Sequence, residues 1–348
     1  MLKAEITPYI LNFAFTAHTS RETFTQKPTF FIDIFEEENP TVKGRGEIAF
    51  FPSLQPSFPS MKVFLDDLNE IVDNIDYYAK NPSSLPRNSA IRFGVEMALD
   101  DLKLGGRGYY QPQDVLSNLQ SGIKINGLVW MNDIETMLGQ IDSKIRDGFH
   151  CIKLKIGAID FSQELKMLRH IRQSFNSTDL EIRVDANGAW TADEVMNKLD
   201  CLSHFEISSI EQPIPRDQEF MAELCKKSPI PVALDEDMIE RWWNMEQSKT
   251  WLNNISPAYI VLKPSLIGGF KRTKEWIEVA KDLGIGWWIT SALESNLGLS
   301  AIAQFLGNYP ENLNMAHGLG TGQIYTNNVD SRVKLNGERL HIVESSLV

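Results

Sequence analysis

Apolar positions along the chain change their spacing twice, and each change marks a different kind of structure. In the first fifty residues, "EITPYILNFAF" and "TFFIDIFEE" are rich in β-branched and aromatic side chains and read as strands. The polar stretch "TAHTSRETFTQKP" between them reads as a loop, "GRGEIAFF" as a third strand, and "PSLQPSFPS" as a Pro/Ser loop. The period then becomes helical. "SMKVFLDDLNEIVDNI" carries apolar residues at i, i+3 and i+4, with Ser60 placed to cap it. "NSAIRFGVEMALDDLKLG" predicts a second helix, ended by Gly105 and Gly106. Strands followed by helices, in segregated order, indicate an α+β unit.

From about residue 125, short apolar strands alternate with helical stretches. The predicted strands are "GLVWM", "CIKLKI", "EIRVDA", "SSIEQP", "PVALDE", "AYIVLKP", "GWWITS" and "NLNMAHG". A polar residue recurs near their C-terminal ends at an even interval. Lys155 to Asp185 is 30 positions, Asp185 to Glu211 is 26, and Glu211 to Asp235 is 24. Lys263 follows after 28 and Ser291 after another 28. One strand, one helix and two loops need about that length, so the texture is a βα repeat. Seven or eight such units close into a parallel (β/α) barrel. An open doubly wound sheet is the alternative, but no glycine-rich phosphate fingerprint follows the first strand.

"CIKLKI" poses a physical problem. Side chains alternate faces along a strand, so Lys153 and Lys155 point the same way. Facing water, they are ordinary; facing inward, they are costly unless something requires them. A barrel answers this, because residues at the C-terminal strand ends converge on one mouth. That mouth holds Lys153, Lys155, Asp185, Asn187, Glu211, Asp235, Glu236, Lys263 and Ser291. Any single acid in this set could simply cap the helix after it. Three on successive strands repel one another, and a hard divalent cation such as Mg²⁺ relieves that repulsion. Glu236 competes with Asp235 as the ligand on its strand, but alternation puts it on the other face. Lys263 could form a structural ion pair or a Schiff base with a carbonyl substrate. A metal flanked by lysines suits proton removal beside a carboxylate, where the enediolate charge develops next to the cation. A neighbouring ammonium such as Lys153, and a nearby dication, favour the neutral form such a base needs.

The bulk composition narrows the class. The 348 residues are 43% hydrophobic with a formal charge of −12, ordinary for a globular protein and wrong for a nucleic-acid or anionic-membrane partner. Cys151, Cys201 and Cys225 are three in number, far apart and without C-x-x-C spacing. They suggest neither a disulfide framework nor a zinc site, and a reducing cytoplasm fits them. "YILNFAFTA" is too short to span a membrane, so a soluble protein is expected.

Taken in order, the K-x-K strand, "VDANGAW", "IEQP", "LDED" and "LKPSLIGG" resemble the enolase superfamily, in particular its muconate-lactonizing subgroup. The resemblance implies a (β/α)7β modified TIM barrel with an N-terminal α+β capping domain. The cap would span residues 1–120, rejoined by the C-terminal segment 320–348, and the catalytic barrel residues 121–319. It also implies one Mg²⁺, with Mn²⁺ as a substitute, held by Asp185, Glu211 and Asp235. Within the subgroup, "SRETFTQKPTFFI", "IRFGVEMAL" and "HGLGTGQIYTNNV" are most similar to the o-succinylbenzoate synthase family. The implied reaction is dehydration of a small-molecule carboxylate, 2-succinyl-6-hydroxy-2,4-cyclohexadiene-1-carboxylate. Lys155 would remove the proton alpha to the carboxylate and then protonate the leaving hydroxide, while Lys263 stabilises the enediolate. Lys153 and Asn187 would support metal and substrate, and Ser291 would lie near the succinyl group. Arg21, in the loop Thr16 to Thr25, would either meet the succinyl carboxylate or remain a solvated surface arginine. Phe51 or Phe58 would supply an apolar wall. N-acylamino acid racemases and dipeptide epimerases share both lysines. The epimerases carry a D-x-D on the eighth strand, which "NMAHGLGTG" lacks. His317 there reads as a packed histidine more readily than as a catalyst.

Overall fold

The computed structural model describes residues 1–18, 23–52, 54 and 60–344. Three antiparallel strands open the chain: β1 (Leu2–His18), β2 (Thr23–Glu36) and β3 (Asn39–Ala49), paired in that order. One face of this sheet buries Phe30, Ile32, Ile34 and Ile48 against Phe64, Leu68 and Ile91 of two helices. The first helix, Met61–Asp73, starts where the Ser60 side chain accepts the Val63 N–H. The second, Ser89–Lys103, is capped by Asn88 and lies directly on β3. A Cβ on Gly46 would sit 1.9 Å from the Gly94 carbonyl oxygen, so the helix reaches the strand only because both positions are glycine.

The polar stretch before Pro28 is mostly strand, not loop. β1 and β2 continue to pair from Ala17↔Phe24 to His18↔Thr23, beyond an irregularity between Asn12 and Ala17. Backbone pairing does not require apolar side chains, and this ribbon finds its own cover. Phe13 and Ala17 are buried with Tyr325, and Phe13 bridges Tyr325 through the backbone.

The barrel strands are parallel. They are β5 (Gly127–Val129), β6 (Cys151–Lys155), β7 (Glu181–Asp185), β8 (Ser209–Glu211), β9 (Val232–Leu234), β10 (Tyr259–Leu262) and β11 (Gly286–Ile289). The eighth stave is the short segment around His317. It bridges Ile125 on one side, and Gly318 bridges Thr290 on the other, both in parallel. The ring therefore runs as seven βα units and a final strand, the (β/α)7β arrangement. Outside it, β12 (Val333–Asn336) pairs with β13 (Arg339–Ile342), and β13 pairs with β4 (Ile123–Lys124). The helices around the ring share one core with Ile152, Val184, Ile210 and Ile260 of the strands. No helix among the described residues is long and apolar enough to cross a membrane.

Candidate active site

Parallel register sets the first half of the site. Lys155 pairs with Asp185 across β6 and β7, and Asp185 pairs with Glu211 across β7 and β8. Three polar strand ends thus lie side by side at one height. Lys153 is 6% exposed, so the two lysines of β6 face the interior of the mouth rather than bulk water. The Lys153 ammonium donates to both Glu211 carboxylate oxygens at 2.7 Å and lies 2.7 Å from Asp185 Oδ2. Lys155 Nζ donates to Asp185 Oδ2 at 2.5 Å and to Asn187 Oδ1 at 2.8 Å. Across the ring, the Lys263 ammonium donates to Asp235 Oδ2. β6 and β10 are four staves apart in an eight-stave ring, so Lys155 and Lys263 approach the mouth from opposite sides.

Asp185, Glu211 and Asp235 each offer a carboxylate oxygen within 4.8 Å of the others, and all three are buried. Asp235 Oδ1 is buried without a hydrogen-bond partner among the described residues. An all-oxygen set with a bare acceptor fits a hard divalent cation. The titration of the acids reflects their crowding. Burial pushes Asp185 up, but the Lys153 and Lys155 ammoniums more than offset it and hold it well below the usual carboxylate range. Burial and then the Asp185 charge push Glu211 well above that range. Burial also opposes ionisation of Asp235, and Lys263 overcomes it, leaving that acid lowered. Burial works against the Lys153 and Lys263 cations too, yet the adjacent carboxylates hold both up.

Residues 136–345 match the family described as "Enolase C-terminal domain-like". An o-succinylbenzoate synthase from Desulfotalea psychrophila is 41% identical, over 94% of this chain and 95% of that protein. The chain belongs to the enolase superfamily. The crystal structure of MenC from Desulfotalea psychrophila LSv54 superposes with a TM-score of 0.79 at 37% identity, covering 98% of this chain and 99% of that one. A dipeptide epimerase from Enterococcus faecalis V583, solved with Mg and the dipeptide L-Leu-L-Tyr, superposes at 0.81 but at 17% identity, over 98% and 97% of the two chains. That last likeness speaks for the enolase-superfamily fold alone.

Above the acids of this enolase-superfamily site lies a cavity of about 940 Å³, its open mouth included. Lys153, Lys155, Asn187, Glu236, Lys263 and Ser291 all line it. Asn187 has φ +46 and joins three groups. Its backbone N–H donates to Asp185 Oδ1 at 3.0 Å, its Oδ1 accepts from Lys155, and its Nδ2 donates to Glu236 Oε1 at 3.1 Å. Ser291 Oγ shares a 2.6 Å hydrogen bond with Thr321 Oγ1. Phe51 is in the apolar wall, with Leu54, Leu128 and Trp130. Arg21 and Phe58 lie outside the described residues.

Glu236 does not point away from the mouth, as strand alternation predicts. β9 ends at Leu234, and a 3₁₀ turn over Glu236–Met238 begins at once, so the period of two no longer applies. Burial and the charges of Asp235 and Asp185 push Glu236 up to about 7. Gln212 is a residue that sequence reasoning missed, although it stands inside the quoted "IEQP". It is fully buried with φ +39, and its Oε1 accepts the backbone N–H groups of Asp235 (3.1 Å) and Asp237 (3.3 Å). Asn126, Trp130 and Thr321 were likewise missed as lining residues. His317 is fully buried outside the cavity wall. Its Nδ1 accepts the Ile289 N–H at 3.0 Å, which leaves Nε2 to donate to the Asn312 carbonyl at 3.1 Å. This is a neutral, structural imidazole.

Proposed function

We propose that this protein dehydrates 2-succinyl-6-hydroxy-2,4-cyclohexadiene-1-carboxylate to o-succinylbenzoate. The observation that carries the reading is the 41% identity to an o-succinylbenzoate synthase across 94% of this chain and 95% of that relative. The site supports it. Asp185, Glu211 and Asp235 would hold one Mg²⁺, with Mn²⁺ able to replace it. The cation, when bound, would supply positive charge that stabilises the enediolate formed from the substrate carboxylate. Lys155 removes the proton alpha to the substrate carboxylate, and the C–H electron pair enters the enediolate. As those electrons return to form the ring double bond, the C6–O bond breaks. The same Lys155 ammonium protonates the departing hydroxide, so both events share one face of the ring. Lys263, on the other face, stabilises the enediolate charge. Asn187 orients the Lys155 Nζ it accepts from, and Lys153 neutralises Glu211 and Asp185 from beneath. Ser291 is assigned to the succinyl tail, and Arg21 either to the carboxylate of that tail or to the solvated surface.

A second reading has one observation in its favour. Lysines on opposite faces are what a two-base racemisation requires, so N-acylamino acids are the alternative substrate class. The dipeptide branch of that reading is weaker, because the eighth stave, Ala316 to Gly318, offers no carboxylate to a dipeptide ammonium. Residues 1–120 with 320–348 form the capping unit in this reading, and 121–319 the catalytic barrel. The Phe13–Tyr325 bridge supports that return. Cytoplasmic placement rests on three free cysteines. The deciding experiment is a direct assay of the purified protein with the cyclohexadiene substrate. Formation of o-succinylbenzoate is expected, and no turnover with Mg²⁺ present would overturn the proposal.

A further inference from the structure

The turn after β11 is held in an unfavourable shape by the capping sheet. Leu293 lines the cavity, yet its backbone has φ +63, a region that non-glycine residues rarely occupy. Its carbonyl oxygen accepts two hydrogen bonds, from Lys27 Nζ at 2.5 Å and from Tyr325 Oη at 2.6 Å. Lys27 belongs to β2 and its side chain is completely buried, as is that of Glu47 on β3, 3.4 Å away. Glu47 in turn accepts the backbone N–H groups of Ser295 (2.9 Å) and Gly298 (3.0 Å), just beyond the same turn. The turn is tied on its barrel side as well. Glu294 accepts the Ala292 N–H at 2.7 Å and the Ser265 hydroxyl, two residues after Lys263.

A fully buried ammonium is expensive unless its partners need it. Here one partner is a main-chain carbonyl of a strained cavity residue, not only a carboxylate. We infer that Lys27 is a positioning residue for substrate specificity: through the Leu293 carbonyl, it holds the Ala292–Leu293 wall against the bound substrate. The capping sheet thereby shapes the cavity through a buried contact. This rests on the proposed dehydration for its kinetic consequence, but not for its structural one.

Lys27→Met alone leaves Glu47 buried without its cation and is at risk of misfolding, so the test uses K27M/E47Q, which removes both charges. Tyr325→Phe, which deletes only the second donor, is the milder companion. For K27M/E47Q, the expected result is a KM for the cyclohexadiene substrate at least tenfold above wild type, with kcat within threefold. Its crystal structure should show Leu293 out of the left-handed region. Tyr325→Phe should raise KM by a smaller factor in the same direction. A role confined to neutralising Glu47 predicts that the double variant, which lacks both charges of that pair, keeps wild-type KM. Either an unchanged KM or a retained positive φ at Leu293 in a folded variant overturns the inference. If the wild-type chain fails to turn over the substrate, the reading of its function fails instead, and the φ of Leu293 in K27M/E47Q and Tyr325→Phe decides the clamp by itself.

Discussion

Lys155 and Asp185 are lateral neighbours on adjacent barrel strands, with Nζ 2.5 Å from Oδ2. The lysine assigned to proton transfer thus touches an acid assigned to the metal. Lys153 leans on the same Asp185 oxygen from one turn of the pleat below. Both lysines line the cavity, but Lys153 donates to Glu211 and Lys155 to Asn187.

Removing Lys155 or Lys263 tests the roles proposed for the two opposed lysines. Lys155→Ala should lower kcat for dehydration by at least ~10³-fold, the scale of a lost acid–base group. Lys263→Ala should cost about 10²-fold or more through lost charge stabilisation. Both variants should keep the wild-type circular dichroism spectrum. Steady-state kinetics with the cyclohexadiene substrate checks this, and full activity in the Lys155 variant would refute its role.

Chelation tests the acids. EDTA should abolish activity, and Mg²⁺ or Mn²⁺ should restore it. A cation that binds only the folded chain also raises Tm, by about 2.7 kcal/mol of added stability at a hundredfold excess over Kd. Asp235→Asn should lose this Tm response along with the activity. Gln212→Leu leaves every proposed ligand in place but removes the acceptor that holds the Asp235 and Asp237 backbone. It should weaken metal affinity by about 10- to 100-fold, as loss of a ligand's support commonly does. Isothermal titration with Mg²⁺ distinguishes the two variants.

The even interval from Lys155 to Ser291 made the barrel and its mouth legible, because each βα unit delivers its strand end to the same height. Local geometry was less legible. Glu236 turns inward because a 3₁₀ turn replaces the strand at Asp235, which no alternation rule anticipates. The polar ribbon before Pro28 pairs through its backbone, and its cover, Tyr325, lies some three hundred positions away in sequence. Leu293 reads as an ordinary apolar residue, since both donors to its carbonyl come from distant segments. Gln212 stood in a quoted motif, and its position directly after Glu211 was the one available signal.

Two groups outside the site, buried His317 and half-buried Glu96, should give stability opposite pH slopes. Burial lowers His317 to about 4 from an unfolded value near 6.5. Between those values the unfolded chain takes up a proton that the native chain refuses, so stability falls as pH drops from 6.5 to 4. The loss approaches about 3 kcal/mol at 1.36 kcal/mol per pH unit. Burial raises Glu96 to about 7 from 4.5, against the Phe270 and Lys271 N–H groups it accepts. Here the native chain keeps a proton that the unfolded chain releases, so stability falls as pH rises from 4.5 to 7. Glu96 is half-buried, which reduces its share to about 1–2 kcal/mol. Urea denaturation from pH 4 to 8 should show a shallower acid limb in His317→Gln and a shallower neutral limb in Glu96→Gln, each relative to wild type. Identical slopes in a variant and wild type would remove that group from the account.

The opposed lysines leave one reaction to separate from dehydration. Lys155 and Lys263 face the cavity from two sides, so a bound N-succinyl amino acid would present its alpha proton to one lysine and its other face to the second. Incubation in D₂O with an N-succinyl amino acid, followed by NMR, reads alpha-proton exchange directly. For an enzyme specialised in dehydration, kcat/KM for that exchange should lie at least about 10²-fold below kcat/KM for dehydration, since a one-base reaction places only Lys155 for transfer. Exchange without inversion is the expected product pattern, because the Lys263 ammonium is held by Asp235 and not freed to deliver a proton. Rapid racemisation, with kcat/KM matching dehydration, would make Lys263 a second acid–base group and the site a true two-base one.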